Sequence, residues 1–406
     1  MNSDLKLLLL GAGVEQKIII DHAHDFGIFV IAVDKDPNAF GLKFADKYIV
    51  SDIKDVDKMC KIAKEEHVDG VFSHAIDIPH IVADVAQQNN LPGIDLTAAC
   101  TATNKLKRIE CFKKEKIPAP TFVHASSSKE AVEKAKKLEL PFVLKPIDSA
   151  GARGVSKVEK YEDVPRLYNE AISYSSSKTV LLEEYLEGPE ISTEAIIING
   201  KIITTGFADR NYSDKQRFKQ FFIEYGHTIP SILSEKMQQK IIQTTENAIK
   251  ALKINWGVAK GDVIIDNDEP KILEMAARTS GGRFSSDMVP LATGINILKP
   301  LIQMSLWLPI EKQYLKKKYE RAAAQRYFLP SPGKITSISG LTECKNLPGI
   351  YDVYLKDNVN VGCIIKPIKN HPDRIGHIIA TGSTREEAIH NVERGINSVK
   401  FEVMNW

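Results

Sequence analysis

Strand and helix patterns alternate over the first hundred residues. That alternation predicts an α/β fold with an N-terminal doubly wound parallel sheet. Two further observations set this sheet inside a larger α/β and α+β protein. At 406 residues the chain exceeds one ordinary hydrophobic core, so two or three domains are expected. The last hundred residues change texture, to short β runs punctuated by Pro and Gly, as in a small α+β unit. Taken in order, 5–10 reads as a strand, 14–26 as a helix, 28–33 as a strand, 56–67 as a helix, 70–73 as a strand and 78–89 as a helix. Residues 105–116 form a helix closed by Pro118 and Pro120, and 129–138 another, with Ala131, Val132, Ala135 and Leu138 on one face. The run 173–177, SYSSS, is expected as a loop between two halves of the central region, and 234–252 as a long amphipathic helix. Near the C-terminus, 335–341, 349–354, 361–365 and 375–382 are strand-like. A helix over 383–398 is capped by Ser or Thr ahead of Arg385-Glu386-Glu387.

Composition narrows the function. The net charge of +2 gives no electrostatic case for nucleic acid as the main partner. The basic run 316–318 reads as a solvated helix face. The five cysteines show no CxxC or zinc spacing. Their odd number, with no secretory segment in view, points to a reducing, cytoplasmic compartment. The apolar run 5–10 is too short to span a bilayer, so no membrane partner is expected. A homodimer is left open. Gly11-Ala12-Gly13 after the first strand and Asp34 at the end of the second imitate a dinucleotide-binding unit. Gln16 stands at the third glycine position, which disfavours a nicotinamide dehydrogenase.

Three blocks carry the chemistry. In the first, Asp262 lies within an apolar run and Glu274 ends a second, with DNDEP between them as a tight turn. An antiparallel pair across that turn sets the two acids side by side. Close carboxylates repel and need a cation, and Mg²⁺ takes one or two carboxylates and completes its shell with phosphates and water. Arg278 adds a positive fork where phosphate charge would sit. The plainer reading is a charged hairpin with solvated acids. The second block is FVLKP, ending near Lys145, followed by the loop 148–154, DSAGARG. Gly151, Gly154 and Ser149 let backbone N–H groups approach phosphate oxygens while Lys145 supplies a point charge. The loop's small residues predict few packing contacts, and a mobile hairpin is the alternative. In the third block, LEEYLEGPE, a strand ends at an acidic pair and the chain turns. An apolar cleft there would take a flat heterocycle, and Glu190 the two hydroxyls of a ribose.

The order and spacing of these blocks resemble the ATP-grasp superfamily. The resemblance rests on Lys105 in TNKLK, IPAP at 117–120, FVLKP with its glycine loop, LEEYLEGPE, the strand with Asp262, and EMAARTSGG from Glu274. It implies three domains: 1–100, Rossmann-like; 101–305, an ATP-grasp fold of two α+β subdomains; and 306–406, similar to the C-terminal domain of biotin carboxylase and the carboxylate-amine ligases. That last domain is expected to supply architecture rather than chemistry. The resemblance implies ATP with Mg²⁺, or Mn²⁺, as cofactors. Lys105 and Lys145 would contact the phosphates, the segment with Glu183 and Leu186 would hinge over adenine, and Glu190 would hold the ribose. Asp262 and Glu274 would hold the metal, and Arg278 would act in catalysis. Two departures stand out: Ala276 replaces an Asn common in relatives, and Asp262 is shorter than the usual Glu. By the same resemblance the first domain lines the non-nucleotide side, where His74 and Asp77 are candidates.

The implied reaction activates a carboxylate, expected to be an amino acid, as an acyl phosphate and joins it to an amine, releasing ADP and phosphate. The small-molecule carboxylate and amine are the partners, and the signature is most similar to the L-amino-acid ligase branch. Alternatives are an ATP-dependent carboxylase or formate-activating enzyme of the biotin-carboxylase or purine-biosynthesis type, and a nucleotide-binding protein without catalysis. The stretch 207–231 is dense in Arg, Lys, Tyr and His. It reads either as a surface loop or as an acceptor-substrate loop, in which Arg210 or His227 reaches an anionic group. Gly282 and Arg283 are placed to shape a pocket for the activated acyl group.

Overall fold

The computed structural model describes residues 5–212 and 217–404. Its first sheet has four parallel strands in the order Lys47–Val50, Phe29–Asp34, Lys6–Leu10, Gly70–Phe72. Leu7 to Leu10 are fully buried, because alternate residues face helices on both sides of the sheet. Helices Lys17–Asp25, Val56–Glu65 and Pro79–Gln88 follow the expected alternation. The edge strand Lys47–Val50 is not evident in the sequence, since its largely solvated residues break the apolar pattern. The loops after the Lys6–Leu10 and Gly70–Phe72 strands open at the carboxyl ends of the sheet, where open α/β sheets present their ligand sites. The carboxylate of Asp34 accepts the Ala12 N–H at 2.9 Å and the Asp36 N–H at 3.0 Å. It holds its own loop rather than waiting for a ribose.

A second, antiparallel sheet orders Phe122–Ala125, Val180–Glu184, Phe142–Pro146 and Ser156–Val158. Helices Ser128–Ala135 and Val164–Ile172 bury Ala131, Ala135, Leu167 and Ala171 against it. The serine run 173–177 joins helix Val164–Ile172 to strand Val180–Glu184. It therefore lies within this one subdomain rather than between two halves.

The third sheet positions the site. Eight antiparallel strands run in the order Glu269–Ala276, Gly257–Asp266, Glu190–Ile198, Lys201–Asn211, Gly226–Ile229, Ala322–Tyr327, Gly376–Gly382, Ile350–Leu355. Strands from the last hundred residues thus continue the sheet begun by 190–276, joined where Gly226–Ile229 pairs with Ala322–Tyr327. The long helix Glu235–Ala251 packs Ile241, Ala248 and Ile249 into the core beneath the first strands. A small sheet of Ile364–Ile365, Gly333–Ser339 and Lys400–Met404 completes the C-terminal part. The helix Arg385–Ser398 is capped by Thr384, whose side chain accepts the Glu387 N–H at 3.2 Å.

Candidate active site

Residues from the second and third sheets and from the loops of the first line one cleft of about 1250 Å³. At its centre is the acidic hairpin. The turn residues Asn267 and Asp268 take φ of 49° and 61°, the positive pair that a tight two-residue hairpin turn requires. In the resulting register Asp262 lies opposite Glu274, with a bulge beside Asp262. Chain cations sit beside both acids. Lys260 Nζ contacts Asp262 and lies 3.9 Å from Glu274. Arg210 Nη1 lies 2.6 Å from Asp262, and Arg108 Nη2 lies 4.0 Å from Glu274. Burial alone would raise both carboxyls. Arg210 and Lys260 outweigh it at Asp262, and Lys260, Lys105 and Arg108 hold Glu274 well below the ordinary carboxylate range. Both acids are therefore ionised and aligned. Among the described residues no third His, Cys, Asp or Glu joins them in a metal-ligating cluster. Two hard oxygen donors with room for other ligands fit Mg²⁺ that takes the rest of its shell from phosphate and water.

The lysines come from two elements. Lys105 opens the helix Lys105–Lys114, capped by Asn104. Its ammonium donates to the Ser149 carbonyl, and burial lowers it to about 8. Lys145, on strand Phe142–Pro146, lies 2.5 Å from Glu183 on the neighbouring strand, and both side chains are nearly enclosed. Gly151 and Gly154 of the following loop have φ of 66° and 72°, which only glycine adopts freely. The loop is better held than its composition predicts. Asp148 accepts from Ser176 and Ser177 at its base, and Ser149 Oγ donates to the Arg153 carbonyl at 2.8 Å. At the tip, the His371 N–H donates to the Gly151 carbonyl at 3.0 Å, with Pro372 packed against the glycine.

Leu186 lines the cleft beside Tyr185. Glu190 accepts from Tyr212 Oη at 2.9 Å, and burial raises its carboxyl despite Arg210 at 3.8 Å. Arg210 is the hub of this end: Glu190, Glu224 and Asp262 all surround it, with Glu224 at 2.8 Å. It is thus committed to the chain's own carboxylates. Residues 213–216 of the expected acceptor loop lie outside the described residues. His227 Nε2 meets Ser192 Oγ at 3.1 Å. Its Nδ1 is 3.2 Å from Glu224 but without hydrogen-bond geometry, and burial lowers it below the ordinary histidine range.

Arg278 donates to the Thr279 carbonyl at 3.0 Å and lies 3.4 Å from Asp77, so the two sequence candidates meet. His74 is buried instead, with Nδ1 2.8 Å from Thr279 Oγ1, and burial lowers it to about 3. It is a neutral structural group. Glu194, missed in the sequence, is fully buried and accepts from the Ser280 N–H and Ser285 Oγ, fixing the turn after Arg278.

Past Gly282 the cleft lining is of mixed charge. Gly282 and Arg283 both have left-handed backbones, φ 63° and 67°. The Gly282 N–H donates to Glu15 at 2.9 Å, and Arg283 pairs with Asp352 at 3.3 Å. Burial pushes the Glu15 carboxyl up, against the pull of Gly282, Arg283, His377 and Arg374. Arg374 stacks 3.5 Å from the Tyr327 ring centre and donates to the His371 and Glu224 carbonyls. Four of these lining groups (Tyr327, His371, Arg374 and His377) belong to the C-terminal part, which therefore lines the cleft as well as extending the sheet. Glu15 follows the glycine turn that imitates a dinucleotide site; an acid just past such a turn was the available signal.

Residues 102–282 match an ATP-grasp domain model. Residues 326–404 match the L-amino acid ligase C-terminal domain 2. The chain thus carries an ATP-grasp domain. As such it is an ATP-dependent ligase of the carboxylate-amine ligase family, using ATP with Mg²⁺ or Mn²⁺ and acting on small molecules. A formate-dependent phosphoribosylglycinamide formyltransferase of Saccharolobus solfataricus is 23% identical over 405 residues, covering 96% of this chain and 95% of that one. An uncharacterized protein of Sinorhizobium fredii is 24% identical over 348 residues, covering 84% and 70%. The fold of the ATP-grasp chain is similar to that of an L-amino acid ligase from Bacillus licheniformis, with TM-score 0.83, 21% identity and 99% of each chain covered. It is also similar to a carboxyaminoimidazole ribonucleotide synthase from Aspergillus clavatus, with TM-score 0.78, 18% identity and 98% and 99% covered. No helix among the described residues is long and apolar enough to cross a membrane.

Proposed function

We propose that this ATP-grasp ligase activates the carboxylate of an amino acid and joins it to an amine. The observation that carries the proposal is a single cleft with two unlike ends. One end gathers the Asp262–Glu274 pair, Lys105, Lys145 and Glu190. The other sets an acid, Glu15, among the cations Arg283 and Arg374. A ligand bearing both an ammonium and a carboxylate suits such a lobe; formate or bicarbonate would bring no cation to the acid.

In this reading Lys105 and Lys145 grip the ATP phosphates, Glu190 the ribose, and the backbone around Leu186 the adenine. The loop through Ser149, Gly151 and Gly154 covers the phosphates and excludes water. Asp262 and Glu274 would hold Mg²⁺, which when bound neutralises charge on the phosphate oxygens. A substrate carboxylate oxygen attacks the γ-phosphorus, and the bond to ADP breaks. Arg278 steadies the transferred group and then the oxyanion formed when the amine nitrogen attacks the acyl carbon. Phosphate leaves, the nitrogen loses a proton, and the amide remains. Gly282 and Arg283 bound the acyl pocket. Arg210 organises the acids from below rather than gripping substrate, and His227 supports Ser192. A cytoplasmic setting accords with five free cysteines.

The full-length likeness to a formate-dependent formyltransferase favours formate activation as the second reading. An ADP-release screen separates them, with amino acids, hydroxy acids, formate and bicarbonate each tested with candidate amines. Amino-acid-dependent ADP release with an amide product is expected. Release with formate or bicarbonate alone would replace this reading, and no release with any acid would leave a nucleotide-binding protein without catalysis.

A further inference from the structure

Lys260 is placed where a metal between Asp262 and Glu274 would sit. It precedes Asp262 by two positions on one strand, so the two side chains share a face. Across the hairpin its partner in register is Ala276, and Glu274 is the diagonal neighbour. A methyl group opposite leaves the ammonium free to lean toward both acids. It contacts Asp262, lies 3.9 Å from Glu274, and its side chain is only 13% exposed.

The surrounding charges give the contact a consequence. Asp262, Glu274, Glu190 and Glu224 are the acids of this cluster. Lys260, Arg210, Arg108, Arg374, Lys105 and Arg278 are its bases, through the ion pairs of Lys260, Arg210, Arg108 and Arg374 and the pull of Lys105 and Arg278 on Glu274. The bases are no fewer than the acids, so the cluster offers a free divalent cation no surplus of negative charge. Arg210 is also enclosed, with a side chain 8% exposed, and is poorly placed to withdraw. Lys260 lines the cleft and is less enclosed than Arg210, Arg108 or Lys105.

We propose that Lys260 is a resident counter-ion that occupies the gap between the two acids and yields it only when nucleotide phosphates arrive. The metal then enters with the nucleotide, not ahead of it. Incoming phosphates supply the ammonium with new anions, and the vacated gap takes the divalent ion. The inference rests on reading Asp262 and Glu274 as the metal acids.

The test titrates Mn²⁺ alone into the full-length enzyme and follows the loss of the free-ion paramagnetic signal. Wild type is expected to bind Mn²⁺ weakly without nucleotide. Lys260→Met, which removes charge but keeps length, is expected to bind at least about tenfold tighter. Lys260→Arg should stay as weak as wild type, and with ADP present the gap between wild type and Lys260→Met should narrow. Unchanged or weaker Mn²⁺ binding in a folded Lys260→Met overturns the inference, as does tight binding by nucleotide-free wild type. Glu274→Gln is the separating control. If it keeps ADP-dependent Mn²⁺ binding, the assignment of the metal acids fails. If it loses that binding while Lys260→Met changes nothing, only the role of Lys260 fails.

Discussion

The two ends of the cleft are built by different rules. The nucleotide end is local: Asp262 and Glu274 belong to one hairpin, and Lys145 and Glu183 to neighbouring strands of one sheet. Nearly every charge there is already paired with another from the chain. The mixed-charge lobe is distributed: Glu15, Gly282 and Arg374 come from stretches far apart in sequence and meet through folding alone. Arg283 pairs with Asp352 and Arg374 lies 3.7 Å from the Glu224 carboxylate, while Glu15 and Arg374 also take backbone groups as partners. The nucleotide end is a pre-balanced electrostatic machine, whereas the lobe is a shape that different sequences can refill.

Substitutions should break this contrast in a definite order. Glu274→Gln removes charge without volume, so it should abolish amino-acid-dependent ADP release, a loss of several kcal/mol of barrier, while the protein still folds with a somewhat lowered melting temperature. Near-normal turnover would remove the hairpin from the chemistry. Next, Lys145→Ala should raise the KM for ATP. It should also cost about 3 kcal/mol of stability, because it strands the buried Glu183 carboxylate. Adding Glu183→Gln should restore much of the melting temperature but none of the turnover; recovery of both would make Lys145 purely structural.

The sharpest comparison pairs Arg374→Ala with Arg210→Ala. Loss of Arg374 should weaken amino-acid binding by about 1.5–3 kcal/mol, the scale of a hydrogen bond to a charged group, with ATP affinity unchanged. Arg210→Ala should instead weaken both ligands, since it frees Glu190, Glu224 and Asp262 together. Equal losses for both ligands in Arg374→Ala would erase the division between the two ends. The smallest effect is graded with pH. Burial holds His74 and His371 to about 3 in the folded protein, below the unfolded value near 6.5. Between those values the unfolded chain binds more protons, so stability falls as pH falls, by at most about 1.4 kcal/mol per pH unit for each group. Urea titrations from pH 7 to 4 should show a shallower loss in His371→Gln than in wild type.

What was legible in the sequence follows the same contrast. Strand–helix alternation, the DNDEP turn and the side-by-side acids are encoded within a few residues, so pattern suffices to find them. Lys260 escaped notice because a lysine beside an acid reads as an ordinary surface pair until the register shows both acids within its reach. Glu15 escaped because its meaning depends on Gly282, which arrives far along the chain. The strand Ala322–Tyr327 was missed as well; its small residues carry no alternation, since they are buried on both faces. The 148–154 loop was expected to be loose, yet its tip is fastened by a residue that local pattern gave no reason to connect with it.

That fastening has a consequence for waste. The stretch that holds the loop tip through His371 and Pro372 also delivers Arg374 to the lobe. The loop over the phosphates and the lobe are thus tied through one stretch of chain. An enzyme that makes an acyl phosphate must keep water from spending it before the amine arrives. Loosening this stretch, as in Pro372→Gly, should show first as idle ADP release uncoupled from amide formation, well before the rate of the productive reaction declines.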